Sequence, residues 1–402
     1  MKVLLLTQWF DPEPTFKGLA FAKELRKQNV EVEVITGFPN YPGGKLYDGY
    51  KIKFFQREEC EDIIINRVPL YPHHGRSALK RVFNYISFFL SSMIYGILRR
   101  KKADVIYAYH PPLTTALSAS IISFFRRTPF VVDIQDLWPD TLASTGMLTN
   151  KKVLNVVNSV CNFVYRRATK IVVLSPGFKE RLVSRGVPAD KIEIIYNWSD
   201  EENLRCFNKS SVVLPDGKFN VVFAGNLGLA QGLPSIVAAA KLLQEDGVNA
   251  NIILVGSGLA KADAEKMVSE QKVDNVIFIP RVPPSEIGHI LQQSNALLVH
   301  LINDELFSIT IPSRTQAYLA CGKPIIMAVD GDAAELVNKA NAGVICEPDN
   351  PASIASGIKY LTELTGDELV VLGRNGSAYY NENLCLSEGV KKFIDIFNQV
   401  TK

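Results

Sequence analysis

The sequence contains few of the residues that build metal centres or disulfide frameworks. Its 402 residues include six cysteines and five histidines, and no two cysteines form a CxxC pair. Cysteines scattered in this way argue against a zinc site and against the disulfide framework of a small secreted domain. We therefore expect no metal and no cofactor, and a reducing cytoplasm as the location.

The sequence also has little excess of one charge over the other and few long apolar runs. The 44 Lys and Arg residues nearly balance the 41 Asp and Glu residues, which leaves a net charge of +3. Proteins that bind nucleic acid by neutralising phosphates carry a larger basic excess, so no nucleic-acid partner is expected. The apolar run at the start, in MKVLLLTQWFDPEP, is too short for a signal-peptide core and predicts a first buried strand.

The chain is too long for one hydrophobic core, because single cores stop growing at roughly 250 to 300 residues. In the first half, apolar runs alternate with helical stretches such as 17–28 and 151–168. Runs that are apolar throughout are typical of parallel strands covered by helices on both faces. They predict a doubly wound α/β domain over residues 1–200, with strands at 3–6, 32–36, 63–68, 105–108, 130–134, 171–174 and 192–195.

A polar, irregular segment at 200–218 predicts a linker, after which the same alternation starts again. It predicts a second doubly wound domain over residues 218–378, with strands at 221–224, 252–255, 276–279, 296–300, 324–328 and 343–346. The last segment, 385–402, has apolar residues at helical spacing and is expected to cross back onto the first domain. Two such domains would place the carboxyl ends of their sheets on either side of a cleft, where ligands bind.

The stretch FAGNLGLAQGLPSIVAAAKLL, residues 223–243, runs from an apolar strand through a glycine-rich turn into a helix. Main-chain amides at such a turn can bind a diphosphate through the helix dipole without a lysine. Gly225, Asn226, Gly228 and Gly232 are expected to form this diphosphate cradle, and Gln231 is also expected among the binding residues. A plain strand-to-helix turn is the alternative interpretation.

A second helix start lies in ELFSITIPSRTQAYLACGKPIIMAVDGDAAELV, residues 305–337. Pro312 and Ser313 precede a helical stretch, Ser313 is a favourable N-cap residue, and Arg314 adds a positive charge to the positive helix end. This arrangement predicts that a nucleotide diphosphate binds over the helix start. In the alternative interpretation, Arg314 is a solvated surface residue.

Four segments resemble the GT-B retaining glycosyltransferases of family 4: FAGNLGLAQGL, IPSRTQAYLACGKPIIMAVDGDAAELV, GFPNYPGGKLYDGY and DIQDLWPDTLASTGML. They are most similar to the branch of amino-sugar or L-fucosamine transferases of O-antigen and capsule assembly. The resemblance implies two Rossmann-like domains facing across a cleft and a nucleotide-sugar donor, expected to be a UDP-sugar. A glycan acceptor on an undecaprenyl diphosphate carrier is expected because of the lipid-facing helix described below. The resemblance also implies that the anomeric configuration of the sugar is retained. The acceptor would attack from the face that the leaving group vacates, and a donor phosphate oxygen would take the acceptor proton.

The chain departs from the wider family at its charged motifs. Most members carry a basic pair in the turn that here contains Asn226 and Gln231, and two glutamates eight residues apart where this chain has Ile309 and Ala317. The resemblance therefore implies a narrower set of roles. Thr315 and Gln316 are expected near the ribose, Glu305, Ser308 and Thr310 near the donor sugar, and Arg281 or Arg314 at the diphosphate.

Three positions in the first half follow predicted strands. His110 comes directly after 105–108, and similar transferases often present a histidine or an acid there to the donor sugar; a structural histidine is the alternative. Asp136 and Trp138 follow 130–134 and are expected to hold a hydroxyl and the face of the acceptor sugar, unless they are a helix cap and a core residue. Gly18, with Glu13, Thr15 and Lys17, is expected at a helix start facing the second domain.

An uncharged span at 82–98 lies between Lys80-Arg81 and the basic run 99–102. It is marginal in length for a membrane span and contains Asn84 and three serines, so it is not expected to cross a membrane. A helix lying on anionic lipid is favoured over a core helix, because IISFFRR at 121–127 repeats the pattern.

Together these features predict a glycosyltransferase that moves a sugar, expected to be an N-acetylated amino sugar, from UDP to a lipid-linked glycan of a surface polysaccharide. The protein would be cytoplasmic and peripheral on the inner face of the cell membrane. An enzyme similar to UDP-N-acetylglucosamine 2-epimerase uses the same architecture and is the first alternative. A sugar-binding protein without turnover is the second.

Overall fold

The computed structural model describes residues 1–75, 77–110, 112–144, 147–205 and 210–402. The chain divides into two compact units, one formed by residues 1–196 with 389–402 and the other by residues 197–388.

The first unit is an α/β unit around one sheet. Its strands are β1 (Lys2–Leu6), β2 (Glu31–Gly37), β3 (Gln56–Cys60), β4 (Ile63–Val68), β5 (Val105–His110), β6 (Phe130–Ile134), β7 (Lys170–Val173) and β8 (Ile192–Ile194). Its helices up to residue 196 are α1 (Leu19–Lys27), α2 (Ala78–Leu98), α3 (Leu113–Arg126), α4 (Asp140–Ser144), α5 (Lys151–Arg167) and α6 (Pro176–Ser184).

The sheet of this unit has the strand order β3-β4-β2-β1-β5-β6-β7-β8, and all neighbours are parallel except β3 and β4. The order reverses direction between β1 and β5, which is the switch point where ligands bind in doubly wound sheets. The sequence did not predict β3. Its residues QREEC are polar and lie at the edge of the sheet, so they carry no apolar run.

The second unit repeats this architecture. Its strands are β9 (Phe219–Asn226), β10 (Ala250–Ser257), β11 (Val276–Ile279), β12 (Ala296–His300), β13 (Ile325–Ala328) and β14 (Gly343–Ile345). Its helices are α7 (Glu201–Arg205), α8 (Leu233–Glu245), α9 (Lys261–Gln271), α10 (Pro284–Gln293), α11 (Glu305–Ser308), α12 (Ser313–Cys321), α13 (Asp332–Lys339), α14 (Pro351–Glu363) and α15 (Gly366–Asn383).

All strand pairs of the second sheet are parallel, in the order β11-β10-β9-β12-β13-β14. This is the strand order of the Rossmann fold. The prediction of two doubly wound, Rossmann-like domains is therefore confirmed. The short helix α7, inside the segment predicted as a linker, packs against α10 and α12 and belongs to the second unit.

The last helix, α16 (Leu386–Thr401), returns to the first unit with its residues from 389 onward. Its apolar residues at three- and four-residue spacing, Val390, Phe393 and Phe397, are fully buried. The ring of Phe393 lies 5.3 Å from that of Phe21 and 5.2 Å from that of Tyr107, which is on β5. The predicted return of the terminal helix is explained by this aromatic contact.

Helix α2 is long and apolar enough, by length and composition, to cross a membrane, and it is the only such helix found in the described part of the chain. Its narrow buried face carries Asn84 and Ser92, which hydrogen-bond to Gln8 and Ser118 of the same unit. Its opposite face exposes apolar side chains at helical spacing, namely Leu79, Val82, Phe83, Ile86, Leu90, Ile94 and Leu98.

The basic run after α2 is not uniform, which corrects the expectation that 99–102 forms one surface patch. Arg99 is 7 % exposed, and its guanidinium donates to the Glu33 carboxylate at 2.5 Å. Only Arg100, Lys101 and Lys102 are exposed. Arg99 therefore ties the end of α2 to Glu33 on β2. Removing either member of this buried ion pair would leave the other charge uncompensated.

Candidate active site

A cavity of about 410 Å³ lies in the second unit at the carboxyl ends of β9 and β10. Parallel sheets bind ligands at this edge. The lining contains two arginines and no acidic side chain, so the cavity is suited to an anion. It is formed by Leu204, Ala224, Gly225, Asn226, Val255, Gly256, Ser257, Arg281, Val282, Pro284, Ile287, Leu291, Arg314, Ala317 and Tyr318.

Two glycines bring the ends of β9 and β10 together at the cavity. Gly225 has φ +134° and Gly256 has φ +147°, a backbone conformation that residues with a Cβ rarely adopt. A Cβ on Gly256 would lie 1.9 Å from the carbonyl oxygen of Gly225. The cavity is therefore bounded by bare main chain, which a ligand can approach closely.

Arg314 is the most informative side chain of the cavity. It lies in the first turn of α12, and its guanidinium carbon is 4.1 Å from the centre of the Phe223 ring, a cation–π contact. Its Nη1 is buried and has no hydrogen-bond partner in the described part of the chain. Burial lowers the pKa of Arg314, and Tyr318 opposes that shift. An arginine remains charged under such conditions, so this site holds a cation that lacks an anion.

Helix α12 is fixed to β9 by a buried contact. The hydroxyl of Tyr318 accepts a hydrogen bond from the amide of Ala224 at 2.8 Å. Tyr318 lies one turn after Arg314, so this bond sets the position of the helix start relative to the strand end. Arg281 enters the cavity lining from the segment between β11 and α10 and has an exposed side chain.

The glycine turn after β9 differs from the predicted diphosphate cradle. The amide of Gly228 donates to Oε1 of Gln231 at 3.0 Å, and the Asn226 side chain reaches the same oxygen at 3.4 Å. Gly225 and Asn226 line the cavity, whereas Gly228 and Gln231 do not. The expectation that the Gly228 amide points to a ligand is wrong for this structure, because Gln231 occupies it.

The start of α12 also differs from the prediction. Ser313 is the first residue of the helix rather than its N-cap; Pro312 is the N-cap and makes no side-chain hydrogen bond. The hydrogen-bond network orients the buried Gln316 amide so that its nitrogen donates to the Pro312 carbonyl at 2.9 Å. Thr315 is fully buried, and its hydroxyl has no partner in the described part of the chain. Neither Thr315 nor Gln316 lines the cavity.

The three residues expected near the donor sugar are on or directly after α11. Asp304 caps this helix, and Glu305 has an exposed side chain. The hydroxyl of Ser308 donates to the Glu305 carbonyl at 2.8 Å, and that of Thr310 donates to the Leu306 carbonyl at 2.7 Å. These three residues lie outside the cavity lining, and their roles stay predictions.

In the first unit, His110 is the last residue of β5 and is 2 % exposed. Neither ring nitrogen has a hydrogen-bond partner in the described part of the chain, and burial lowers the pKa of His110 to about 4. Its ring packs edge-on against Trp138 at 5.7 Å. A structural histidine normally makes hydrogen bonds through its ring nitrogens, so the two unpaired nitrogens distinguish His110 from a structural histidine.

Asp136 follows β6, and its carboxylate accepts no hydrogen bond from the described residues. Burial raises its pKa, and no cation offsets that effect. Asp133, on the strand itself, is instead a core residue: it accepts hydrogen bonds from Tyr107 at 2.5 Å and Gln135 at 2.6 Å. Of these two carboxylates, only Asp136 is available to a ligand.

The start of α1 is occupied by the protein's own carboxylate. Asp11 accepts a hydrogen bond from the Leu19 amide at 2.6 Å, and a Cβ on Gly18 would lie 2.2 Å from the same oxygen. Glu13 is 2 % exposed and Lys17 is fully buried. An anion at this helix start would have to displace the carboxylate of Asp11. The expected placement of Gly18, with Glu13, Thr15 and Lys17, facing the second domain stays a prediction.

Sequence reasoning missed several residues that shape these sites. Phe223 supports Arg314, and Gly256 approaches Gly225, although the VGSG segment after a strand resembles the GNLG segment that was noticed. Trp9 and His74 were missed as well. In the described part of the chain, no cluster of three or more His, Cys, Asp and Glu residues could hold a metal ion.

Comparison with known proteins places the chain in a family. Residues 19–198 match the family described as glycosyl transferase 4-like domain, and residues 205–379 match the family described as glycosyl transferases group 1. These two matches correspond to the two Rossmann-like units. The chain belongs to the GT-B glycosyltransferases of group 1, and it is an enzyme of the transferase class.

Individual relatives are distant but span most of the chain. The glycosyl transferase WcaI of Escherichia coli (strain K12), which is assigned to colanic acid biosynthesis, is 25% identical over 89% of this chain and 91% of its own. WbjE of Pseudomonas aeruginosa, described as a glycosyltransferase, is 22% identical over 70% of this chain and 73% of its own. The crystal structure of Anabaena Alr3699/HepE in complex with UDP and glucose superposes with a TM-score of 0.67, 19% identity and 99% coverage of both chains.

Proposed function

We propose that the protein transfers a sugar from a UDP-sugar to a glycan carried on a lipid diphosphate, in the synthesis of a surface polysaccharide. The observation that supports the donor most is the unpaired Nη1 of Arg314 in a cavity that has a second arginine and no acid. Arginine binds phosphate oxygens through paired N–H groups, so a diphosphate satisfies this buried donor. The solved relative that holds UDP and glucose supports uridine as the nucleoside.

The same contacts suggest how the residues would assist transfer. A leaving diphosphate gains negative charge as the bond to the sugar breaks, and fixed donors in a cavity stabilise such charge most. Arg314 is held in place by Phe223 and by the Tyr318 contact to β9, so it needs little rearrangement to act. Arg281, which is exposed, would move onto the diphosphate only once the nucleotide is bound.

The polysaccharide role rests on the relatives, one of which is assigned to colanic acid biosynthesis. An N-acetylated amino sugar remains the proposed donor sugar because of the motif resemblance. Position 317, where most family members carry the second glutamate, is an alanine that lines the cavity. This replaces a carboxylate with a methyl group, which gives an N-acetyl group more room and removes a charge from its surroundings.

The lipid carrier is proposed from the exposed face of α2. Phe83 is 62 % exposed and Leu98 is 74 % exposed, and the neighbouring helix α3 adds Phe124 and Phe125, each 62 % exposed. Large apolar side chains on one helix face, followed by exposed basic residues, are typical of helices that lie on anionic lipid. On its buried face Asn84 is bonded to Gln8 and to the Tyr71 carbonyl, which favours a helix that lies on the membrane over one that crosses it.

The proposed function is tested by supplying radiolabelled UDP-sugars, each with and without membranes that contain lipid-linked oligosaccharide. We expect label from one donor, with UDP-N-acetyl amino sugars as the first candidates, to enter the lipid fraction. Label that stays on UDP as an isomerised sugar would indicate an epimerase instead. Donor binding without any label release, across the whole panel, would contradict the proposal and indicate a sugar-binding protein.

The membrane face has its own test, flotation with vesicles that contain anionic lipid. Replacing Leu79, Phe83 and Ile94 with glutamine should abolish flotation, while the control replacement of Val370 and Val371, which are 48 % and 52 % exposed on α15, should leave it unchanged. Flotation of the α2 variant at the level of the natural protein would contradict the proposed face.

A charge-only comparison completes this test. Glutamine at Arg100, Lys101 and Lys102 should reduce flotation on anionic vesicles, and Arg99 is left in place because it pairs with Glu33. The control removes three exposed lysines of the second unit, at positions 218, 272 and 359. If the control reduces flotation as much as the test variant does, net charge and not this basic run governs binding, and the orientation proposed here is wrong.

A further inference from the structure

An aromatic cluster lies at the carboxyl ends of the first-unit strands, outside the cavity that we propose for the donor. Trp9, Tyr41 and His74 follow β1, β2 and β4. The rings of Trp9 and Tyr41 are stacked, with centroids 4.4 Å apart and an interplanar angle of 23°. The His74 ring meets both nearly edge-on, at 5.9 Å from Trp9 and 5.2 Å from Tyr41. The three residues come from segments far apart in sequence, yet they form one surface.

This cluster contains buried polar atoms that lack hydrogen-bond partners among the described residues. In the described part of the chain, Nε1 of Trp9, Nε2 of His74 and Oε1 of Gln8 are buried without a hydrogen-bond partner. His110, at the end of β5, contributes two more such nitrogens. Buried polar groups are nearly always paired, so several unpaired ones at one sheet edge indicate a polar ligand. The edge concerned contains the switch point between β1 and β5.

A carboxylate lies at the same edge of the sheet, because Asp136 follows β6, the strand that pairs with β5. The charge of Asp136 acts on the hydroxyls of Tyr41 and Tyr85: burial raises the pKa of both, and Asp136 raises it further, while Arg81 lowers that of Tyr85. Tyr85 is on α2, and its ring is 6.5 Å from that of His74. Burial lowers the pKa of His74 to about 4, so this imidazole is neutral at physiological pH. Arg81 acts on both His74 and Tyr85, so the surroundings contain one cation and one carboxylate. The neutral imidazole and the carboxylate of Asp136 are both suited to accept hydrogen bonds from hydroxyl donors.

A buried glutamate fixes the two stacked rings. The carboxylate of Glu13 accepts hydrogen bonds from the amides of Asn40 and Tyr41, each at 2.7 Å, and of Phe10 at 3.2 Å. It thereby joins the loop that carries Trp9 to the loop that carries Tyr41. A binding surface held by such contacts loses little conformational freedom when a ligand binds.

We propose that Trp9, Tyr41, His74 and Asp136 form a subsite for a pyranose ring of the acceptor glycan. The apolar C–H face of a pyranose packs on aromatic rings, and its hydroxyls would donate to Asp136 and to Nε2 of His74 and accept from Nε1 of Trp9. Asp136 binds substrate in this arrangement, and Glu13 is a positioning residue. The inference rests on the proposed function only for the statement that this sugar belongs to an acceptor.

The subsite is tested by saturation-transfer NMR on the full chain, with UDP present. The probes are the methyl pyranosides of glucose, galactose, mannose, N-acetylglucosamine and fucose. We expect at least one probe to give signals, strongest for the protons of one ring face. Trp9→Ala should lose these signals. Asp136→Asn, which keeps the shape of the side chain, should weaken binding about tenfold, as expected for one hydrogen bond to a charged group.

The control variant is Tyr360→Ala, which removes an aromatic ring that is 52 % exposed on α14 and should change nothing. The subsite is refuted if UDP binds but no pyranoside gives a signal, or if Trp9→Ala and Asp136→Asn bind the probes as the natural protein does. Displacement of a bound pyranoside by inorganic phosphate would also contradict it, because the site would then recognise anions.

A second readout separates this inference from the proposed function. In a transfer assay, Trp9→Ala should raise the KM for the lipid-linked acceptor, whereas the control Tyr360→Ala should leave both that KM and the slow release of sugar to water unchanged. If the natural protein transfers no sugar but still binds pyranosides through Trp9, the proposed function fails and the subsite stands. Transfer with an unchanged acceptor KM in both Trp9→Ala and Asp136→Asn would refute the subsite alone.

Discussion

Replacing Arg314 with methionine tests the proposed donor site most directly. Methionine is unbranched and apolar, and its thioether can keep a contact with the Phe223 ring that now lies 4.1 Å below the guanidinium. The substitution removes a cation whose Nη1 is buried and unpaired in the described part of the chain. It should therefore separate a role in binding from a role in folding.

The structure gives different magnitudes for these two roles. A hydrogen bond from a charged donor to phosphate contributes about 1.5–3 kcal/mol, so its loss should weaken UDP binding roughly 10- to 100-fold. In the free protein, a buried donor without a partner costs about 1–3 kcal/mol, while the cation–π contact returns about 1 kcal/mol. Arg314→Met should therefore be as stable as the natural protein or more stable.

Isothermal titration calorimetry with UDP measures the first effect, and thermal unfolding without ligand measures the second. Arg374→Met, which removes an exposed arginine of α15, is the control for loss of one positive charge. A UDP Kd within twofold of that of the natural protein would refute the assignment of Arg314 to the diphosphate. Weaker UDP binding together with a large loss of stability would mean that the guanidinium supports the fold instead.

Three further predictions follow from named contacts. Gly225→Ala should weaken UDP binding in calorimetry, because φ is +134° and the new Cβ would lie 3.4 Å from Nη2 of Arg314; Gly247→Ala, at φ +69° with no atom within 4 Å, should leave it unchanged, and equal affinities would refute the reasoning. Burial raises the pKa of Glu13 from 4.5 to about 7, so folding takes up a proton and the free energy of unfolding should fall by up to about 3 kcal/mol between pH 4.5 and 7. Urea titrations should show a flatter pH dependence for Glu13→Gln, and an unchanged slope would contradict this pKa. Phe393→Ala should lower the free energy of unfolding by about 3–5 kcal/mol, since its ring packs on two buried aromatic rings; a loss below about 1 kcal/mol would show that α16 is not anchored there.

Most of the fold follows from apolar patterning. Runs such as 130–134 and 296–300 are buried strands with the predicted bounds, and the helical spacing of Phe393 and Phe397 predicted the return of α16. These features depend on local sequence, because a buried parallel strand needs apolar residues on both faces. The polar edge strand β3 lacks that pattern and was missed.

The sites were only partly predictable. Gly225, Asn226, Arg281 and Arg314 were expected at the nucleotide and line the cavity. Gly228 was expected beside them, but its amide is taken by the side chain of Gln231. A glycine-rich turn shows that main chain is available, whereas its sequence does not show which nearby side chain satisfies the amides first.

The sequence alone determined two doubly wound sheets, a terminal helix that packs on the first of them, and the residues that could meet a nucleotide. Only the tertiary structure decided which side chains are free to act. It buried Arg99 against Glu33, closed the start of α1 with Asp11, and left Nη1 of Arg314 without a hydrogen-bond partner among the described residues. It also gathered Trp9, Tyr41 and His74 into one surface. The physical reason is that strand patterning is a local property, whereas pairing between polar side chains depends on groups distant in sequence that meet only when the sheet is complete.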